Sequence, residues 1–222
     1  MLAVDSEIRQ SAVSDPPPDP VLEAEELECI RGDRVLFRDL SFRVNPGTIL
    51  LVEGPNGSGK TSLLRMACGL SQPSHGAVRW RGVNLRRDAD VFHGELSYVG
   101  HLPGIKADLT PVENLRFDQS LAGGGPDLSD VLRRIGLGRF MDTPCRFLSA
   151  GQRRRVALAR LQACPATVWI LDEPFTAIDR EGVTDLTRVM AEHARSGGLL
   201  LLTTHQTVDF DSCQVQTLRL GQ

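Results

Sequence analysis

The sequence predicts an α/β fold organised on a parallel sheet. Three observations carry that expectation. Short apolar runs alternate with helix-patterned segments along the second half of the chain, a glycine-rich loop joins one such run to a helix, and a cluster of short β-type runs precedes that loop. At 222 residues and 41% hydrophobic, the chain has material for one substantial domain or two closely packed lobes rather than a string of modules.

Residues 1–24 set acidic and small residues around Asp15-Pro16-Pro17-Pro18-Asp19-Pro20. Such a segment neither buries surface nor continues a helix, so a disordered, proline-rich tail is expected, with the folded domain over residues 25–222. Leu27–Ile30, Val35–Phe37 and Leu40–Val44 read as strands of an antiparallel edge. Turn chemistry at Asn45-Pro46-Gly47 leads into Ile49–Val52, a continuous apolar run of the kind buried on both faces. Thr61–Cys68 is built of good helix formers and stops at Gly69. Val112–Leu121 and Leu128–Ile135 are helical in pattern and separated by Gly123-Gly124-Gly125-Pro126, which predicts a small helical lobe over about residues 101–160. The helical stretches Gly151–Ala163 and Val183–Ala194 precede the apolar runs Val168–Leu171 and Leu199–Leu202, the alternation that implies a parallel sheet. No internal repeat or coiled-coil heptad interrupts it.

Composition narrows the function classes. Lysine and arginine number 25 against 28 aspartate and glutamate, so the basic footprint of a nucleic-acid binder is missing and no nucleic-acid partner is expected. The apolar runs fall far short of the roughly 20 residues needed to cross a bilayer, so the chain itself is not expected to span a membrane. No basic start with an apolar stretch and cleavage site is present, which makes cytosol the default compartment. The five cysteines lack CxxC spacing and suit buried, reduced thiols.

The chemistry resides in three motifs. Gly54-Pro55-Asn56-Gly57-Ser58-Gly59-Lys60-Thr61, followed by Ser62, fits the Walker A pattern: glycines let main-chain N–H groups wrap phosphates at a helix N-terminus. Lys60 is expected to reach the β and γ phosphates of ATP, and Thr61 to offer its hydroxyl to Mg2+. Val168-Trp169-Ile170-Leu171-Asp172-Glu173 is an apolar strand ending in two carboxylates at the sheet edge where α/β folds bind ligands. Asp172 is the candidate for the Mg2+ shell. Adjacent residues of an extended chain point opposite ways, which frees Glu173 to deprotonate an attacking water. Taken alone, this run also reads as an acidic strand end; the glycine loop upstream tips the balance. Phe147-Leu148-Ser149-Ala150-Gly151-Gln152 runs into a helix with Ser149 as N-cap and arginines at 153, 154 and 155. From the residues alone, a helix facing phosphate and a capped helix with a solvated basic face are equally good readings.

Leu148-Ser149-Ala150-Gly151-Gln152, lying between Walker A and Walker B, resembles the signature of ABC ATPases. That resemblance implies an ABC-type P-loop fold: a RecA-like parallel core, an antiparallel β edge subdomain and a small α-helical subdomain. It further implies a head-to-tail homodimer in which Ser149, Gly151 and Gln152 complete the partner's ATP site. Ala177-Ile178-Asp179 is similar to the dimer-contacting D-loop, and His205 to the switch histidine that senses the γ-phosphate. Two positions depart from the usual pattern. His101 stands where a glutamine usually begins the loop linking the lobes, and Arg31 where an aromatic usually stacks on adenine; an imidazole bonds water and a guanidinium stacks on a base.

Cys29 to Phe37, Gly100-His101-Leu102-Pro103-Gly104-Ile105-Lys106, Trp169 to Asp179 and Thr203 to Gln206 resemble the CcmA family, the ATP-binding proteins of cytochrome c biogenesis. The resemblance runs from about Leu27 to the end. It implies pairing with a CcmB-like permease, association with CcmC and CcmD, support of haem handover to the chaperone CcmE, and a peripheral place on the cytoplasmic face of the bacterial inner membrane. The other readings are an ABC ATPase for a different substrate, a nucleic-acid machine with an ABC-type head, which would carry a long coiled-coil insertion, and a soluble P-loop kinase, which would not need Leu148–Gln152 or Asp179.

Overall fold

A computed structural model describes residues 21–221. Strand β1 (Leu22–Arg31) turns at Gly32 into β2 (Arg34–Val44), and β3 (Thr48–Glu53) then enters the core and delivers the chain to the glycine loop. Helix α1 (Lys60–Ala67) follows, then β4 (His75–Trp80), β5 (Val83–Asn84), the short α2 (Asp90–Gly94) and β6 (Leu96–Val99). Helices α3 (Pro111–Leu121) and α4 (Leu128–Arg134) come next, before α5 (Ala150–Ala163), β7 (Val168–Asp172), α6 (Arg180–Arg195), β8 (Leu199–Thr203) and β9 (Gln214–Arg219).

Two sheets result. One is four-stranded and antiparallel, in the order β2-β1-β4-β5, and the other five-stranded and parallel, in the order β6-β7-β8-β3-β9. Every residue of β7 and β8 is buried, which is why these strands read as unbroken apolar runs rather than as alternation. Each buried leucine there contributes on the order of 1.5–3 kcal/mol relative to exposure. The register sets Asp172 beside Thr203 at the C-terminal ends of β7 and β8, and that pairing builds the site described below.

Three apolar clusters fill the molecule. The first joins the antiparallel sheet, α1 and one face of the parallel sheet through Leu22, Leu27, Leu64, Trp80 and Ile170. The second covers the other face with α5 and α6, through Ala157, Trp169, Met190 and Leu202. The third lies among α3, α4 and α5, around Leu115, Val131, Leu132 and Val156. Helix α5 contributes to the second and third, so it is apolar on two sides.

The expected disordered tail over residues 1–24 is too long at its end. β1 starts at Leu22, and Leu22 and Ala24 lie in the first cluster at 0% and 4% exposure, because Leu22, Ala24, Leu27 and Cys29 supply the inward positions of an irregular strand. The rest of that expectation, residues 1–20, lies outside the described residues. The pattern also leaves out β4, β5, β6, α2 and β9: these are short, or, like the edge strand β9, polar and mostly exposed. The cysteines are free, with Cys29, Cys68 and Cys145 buried and Cys164 and Cys213 half-buried. No helix among the described residues is long and apolar enough to cross a membrane.

Candidate nucleotide site

The glycine loop leaves β3 and closes on α1, whose N-cap, Gly59, has a left-handed φ of 101° and supplies no side-chain cap. Only a glycine takes that conformation readily. The first N–H groups of α1 are therefore left for an anion, which the helix dipole also favours. Lys60, 9% exposed, folds its ammonium back over the loop and donates to the carbonyls of Gly54 at 2.7 Å and Pro55 at 3.1 Å. The hydroxyl of Ser58, buried in the same loop, has no partner among the described residues.

Asp172 is 2% exposed at the end of β7, and both of its carboxylate oxygens are used. Oδ2 accepts from the Thr61 hydroxyl and Oδ1 from the Thr203 hydroxyl, each at 2.8 Å. The Thr203 hydroxyl in turn accepts from the main-chain N–H of Glu173 at 2.9 Å. Glu173 lies just past the strand with a left-handed φ of 50°. This corrects the expectation that strand alternation separates the two carboxylates: a left-handed turn does so, anchored through Thr203. Glu173 Oε1 is buried with no aligned hydrogen bond among the described residues, although His205 Nε2 approaches it to 3.2 Å.

A cavity of about 440 Å3 gathers Asn56, Gly57, Gly59, Lys60, Thr61 and Ser62 with His101, Asp172, Glu173 and His205, and is completed by Leu36 and Thr176. A larger cavity of about 520 Å3 between α4, α5 and α6 contains none of these groups, so the chemistry points to the smaller one. Arg31 is not brought to the cavity wall. It ends β1 at an exposed hairpin tip opposite Arg34, and Leu36 takes the wall position.

Ser149, Gly151, Gln152 and Asp179 also lie outside the cavity. Ser149 caps α5, its hydroxyl accepting from Gln152 N at 3.2 Å while its own N–H donates to Gln152 Oε1 at 2.8 Å. A Cβ on Gly151 would sit 2.8 Å from the carbonyl of Ala177, so only glycine lets α5 and the loop after β7 approach this closely. Asp179 caps α6 through Gly182 N at 3.1 Å and accepts from Arg155 at 2.6 Å; the Arg155 bond, then the Gly182 N–H, holds its carboxyl below the usual range.

Thr203, Thr176, Leu36 and Arg154 are site residues that the motifs do not reveal. Arg154 lies beneath the turn of Glu173, and burial draws its guanidinium below its ordinary pKa against the opposing pull of Asp172 and Glu173. Thr203 had a signal in its place beside Thr204 and His205; Arg154 had none beyond an arginine run.

The donor set suits Mg2+. Asp172 and the Thr61 hydroxyl offer hard oxygen ligands 2.8 Å apart, and no group of three metal-ligating His, Cys, Asp or Glu exists among the described residues. Two protein oxygens with the remaining positions left to water and phosphate is the manner in which Mg2+ is usually held.

The ABC transporter family matches residues 37–176. A cytochrome c biogenesis ATP-binding export protein CcmA of Yersinia pestis is 50% identical over 203 residues, covering 90% of this chain and 93% of that protein. Proteins of the same description from Methylococcus capsulatus and Nitrosospira multiformis are 49% and 46% identical, over 86% and 90% of this chain and 94% and 99% of theirs. Among solved structures, an ATP-binding subunit of an ABC transporter superposes with a TM-score of 0.79 at 24% identity, over 90% of this chain and 88% of the other. A dimeric ATP-binding cassette bound to ADP and Pi gives 0.76 at 19% identity, over 90% and 97%. At these identities the structural likenesses speak for the fold. Half-identity over nine-tenths of the length speaks for more: the chain belongs to the ABC transporter family and, within it, to the CcmA family of cytochrome c biogenesis ATP-binding export proteins.

Proposed function

We propose that the chain hydrolyses ATP with Mg2+ as one of two identical subunits, and that hydrolysis drives a membrane-embedded permease of c-type cytochrome biogenesis. The observation that carries this reading is the convergence of Lys60, Thr61, Asp172, Glu173 and His205 on one cavity from three separate segments, the start of α1, the end of β7 and the loop after β8. ATP phosphates take the place of the Gly54 and Pro55 carbonyls as acceptors for Lys60, and the open N–H groups of α1 receive them. Thr61 and Asp172 would hold Mg2+, which would supply charge neutralisation at the phosphates. Glu173 takes a proton from the attacking water as the water oxygen bonds to the γ-phosphorus and the bond to the bridging oxygen breaks, giving ADP and phosphate. His205, 3.2 Å from the carboxylate, restrains Glu173 and detects the γ-phosphate. His101, on the cavity wall, takes the role of a water-bonding group beside the metal.

The second subunit closes the site. Ser149, Gly151 and Gln152 of one copy, at the exposed N-terminus of α5, approach the nucleotide held by the other, and Asp179 orders the contact between them. Arg31, beyond the cavity wall, is assigned to the adenine edge, where a guanidinium stacks on a base. The exposed side chains of Leu102, Phe117, Leu121 and Phe147 on and beside α3 form the face for the permease, a CcmB-like protein with CcmC and CcmD, at the cytoplasmic side of the inner membrane. The relatives' description as export proteins of cytochrome c biogenesis supports haem export or release of a haem chaperone as the work done.

Specific ATPase activity measured against protein concentration tests the dimeric site: activity per chain rises with concentration if two copies share it. A flat profile with phosphate delivered to a small acceptor would favour a monomeric kinase. Co-purification from native membranes identifies the permease, and recovery of one unrelated to CcmB would discard the cytochrome c assignment.

A further inference from the structure

Arg154 has no task in the hydrolytic scheme, yet it is the only buried arginine among the described residues, at 4% exposure. No carboxylate pairs with it within 4 Å among the described residues; its guanidinium donates to four main-chain carbonyls instead. Nη1 reaches Gly100 O at 2.8 Å, Nη2 reaches Asp172 O at 3.0 Å and Glu173 O at 2.8 Å, and Nε reaches Pro174 O at 3.4 Å. A buried cation without an ion-pair partner is costly unless its donors are met. Here they are met by Gly100 just past the end of β6, the last residue of β7 and the turn that carries Glu173.

That turn needs support. A non-glycine residue at positive φ costs about 1–3 kcal/mol and persists only where its surroundings fix it. Glu173, with φ of 50°, has its N–H held by Thr203 and its carbonyl by Arg154, so the carboxylate is aimed by bonds on both sides of its own Cα. We propose that Arg154 is a positioning residue for Glu173, tying the turn that aims its carboxylate to α5 and to the strand end at Gly100. Arg154 touches carbonyl oxygens and none of the reacting atoms. Lysine cannot replace it, because one ammonium nitrogen does not span carbonyls that a planar fork reaches in different directions.

This inference rests on Glu173 acting as the base, and the experiment separates the two. Arg154→Lys is made in the full chain alone and together with Glu173→Asp, with Glu173→Asp as the fourth corner. Each variant is measured for single-turnover ATP hydrolysis, for affinity of a fluorescent ATP analogue and for Tm. Arg154→Lys is expected to lose about 10- to 100-fold in rate, the scale of a misaimed catalytic group, while nucleotide affinity changes less than about 2-fold. Once Glu173→Asp has already misplaced the carboxylate, the same substitution is expected to cost less than about 3-fold more. If Arg154→Lys does not fold, Arg154→Met fills similar volume without a buried charge, and the same comparison decides. Equal losses in both backgrounds, or a loss of nucleotide affinity matching the loss of rate, would overturn the positioning role alone. A Glu173→Asp enzyme as fast as wild type would overturn the base assignment and this inference with it.

Discussion

Thr203→Val changes the shape of the site least and its hydrogen bonding most. The side chain is fully buried; its hydroxyl donates to Asp172 Oδ1 at 2.8 Å and accepts from Glu173 N at 2.9 Å. Valine fills the same space and removes both bonds. Two buried groups then lack a partner at about 1–3 kcal/mol each, which gives a destabilisation of about 2–6 kcal/mol, with Asp172 retaining its bond from Thr61. For a chain of this size that lowers Tm by roughly 5–20 °C. Catalysis is expected to fall by at least about 10-fold, because Glu173 loses the main-chain anchor on the N-terminal side of its turn. Thr203→Ser is the control: it keeps the hydroxyl and gives up one methyl, at a cost of about 1 kcal/mol. Thermal unfolding with and without Mg-ATP, together with steady-state phosphate release, measures both effects. A valine variant with the Tm and rate of the serine variant would refute the role given to Thr203.

Stability should depend on pH through His193, whose ring stacks on Trp169 at 3.8 Å between centroids and 4° between planes. Burial pushes its pKa from 6.5 down to about 4. The unfolded chain takes up the proton below about 6.5 and the folded chain only below about 4, so stability is lost as pH falls through that window, by up to about 3 kcal/mol. His193→Phe keeps a ring on Trp169 and should flatten Tm between those pH values; an unaltered slope would assign the effect elsewhere. Lys60→Ala removes the cation that the glycine loop holds ready, and calorimetry should show Mg-ATP affinity down by at least about 10-fold with the fold intact, the worth of a charge-assisted contact. Unchanged affinity would contradict the phosphate assignment.

The motifs were legible because their chemistry is local. A loop that wraps phosphate needs its glycines, Lys60 and Thr61 in one contiguous stretch, and Asp172 announces itself at the end of a strand too apolar to lie anywhere but the interior. The groups that complete the site are not local. Thr203 meets Asp172 only through the register of β7 and β8, a pairing between residues 31 apart. Arg154 sits in a run of three arginines that reads as a solvated face, and only the packing of α5 against the end of β7 turns the middle one inward. Glu173 was legible as a carboxylate but not as a left-handed turn, since nothing in its neighbours marks a positive φ. At Arg31 position in the motif pointed to the cavity itself, whereas the hairpin sets Arg31 beyond the wall and Leu36 on it. The antiparallel sheet was seen in part, because β1 and β2 carry β-type apolar runs while β4 opens on His75-Gly76 and β5 is two residues long.

Glu173→Gln tests most directly whether Glu173 is the base of a site that two copies close together. Light scattering with Mg-ATP should show the mass rising from one 24.3 kDa chain to two, with no ADP formed. A monomer under saturating Mg-ATP, or turnover at the wild-type rate, would contradict it.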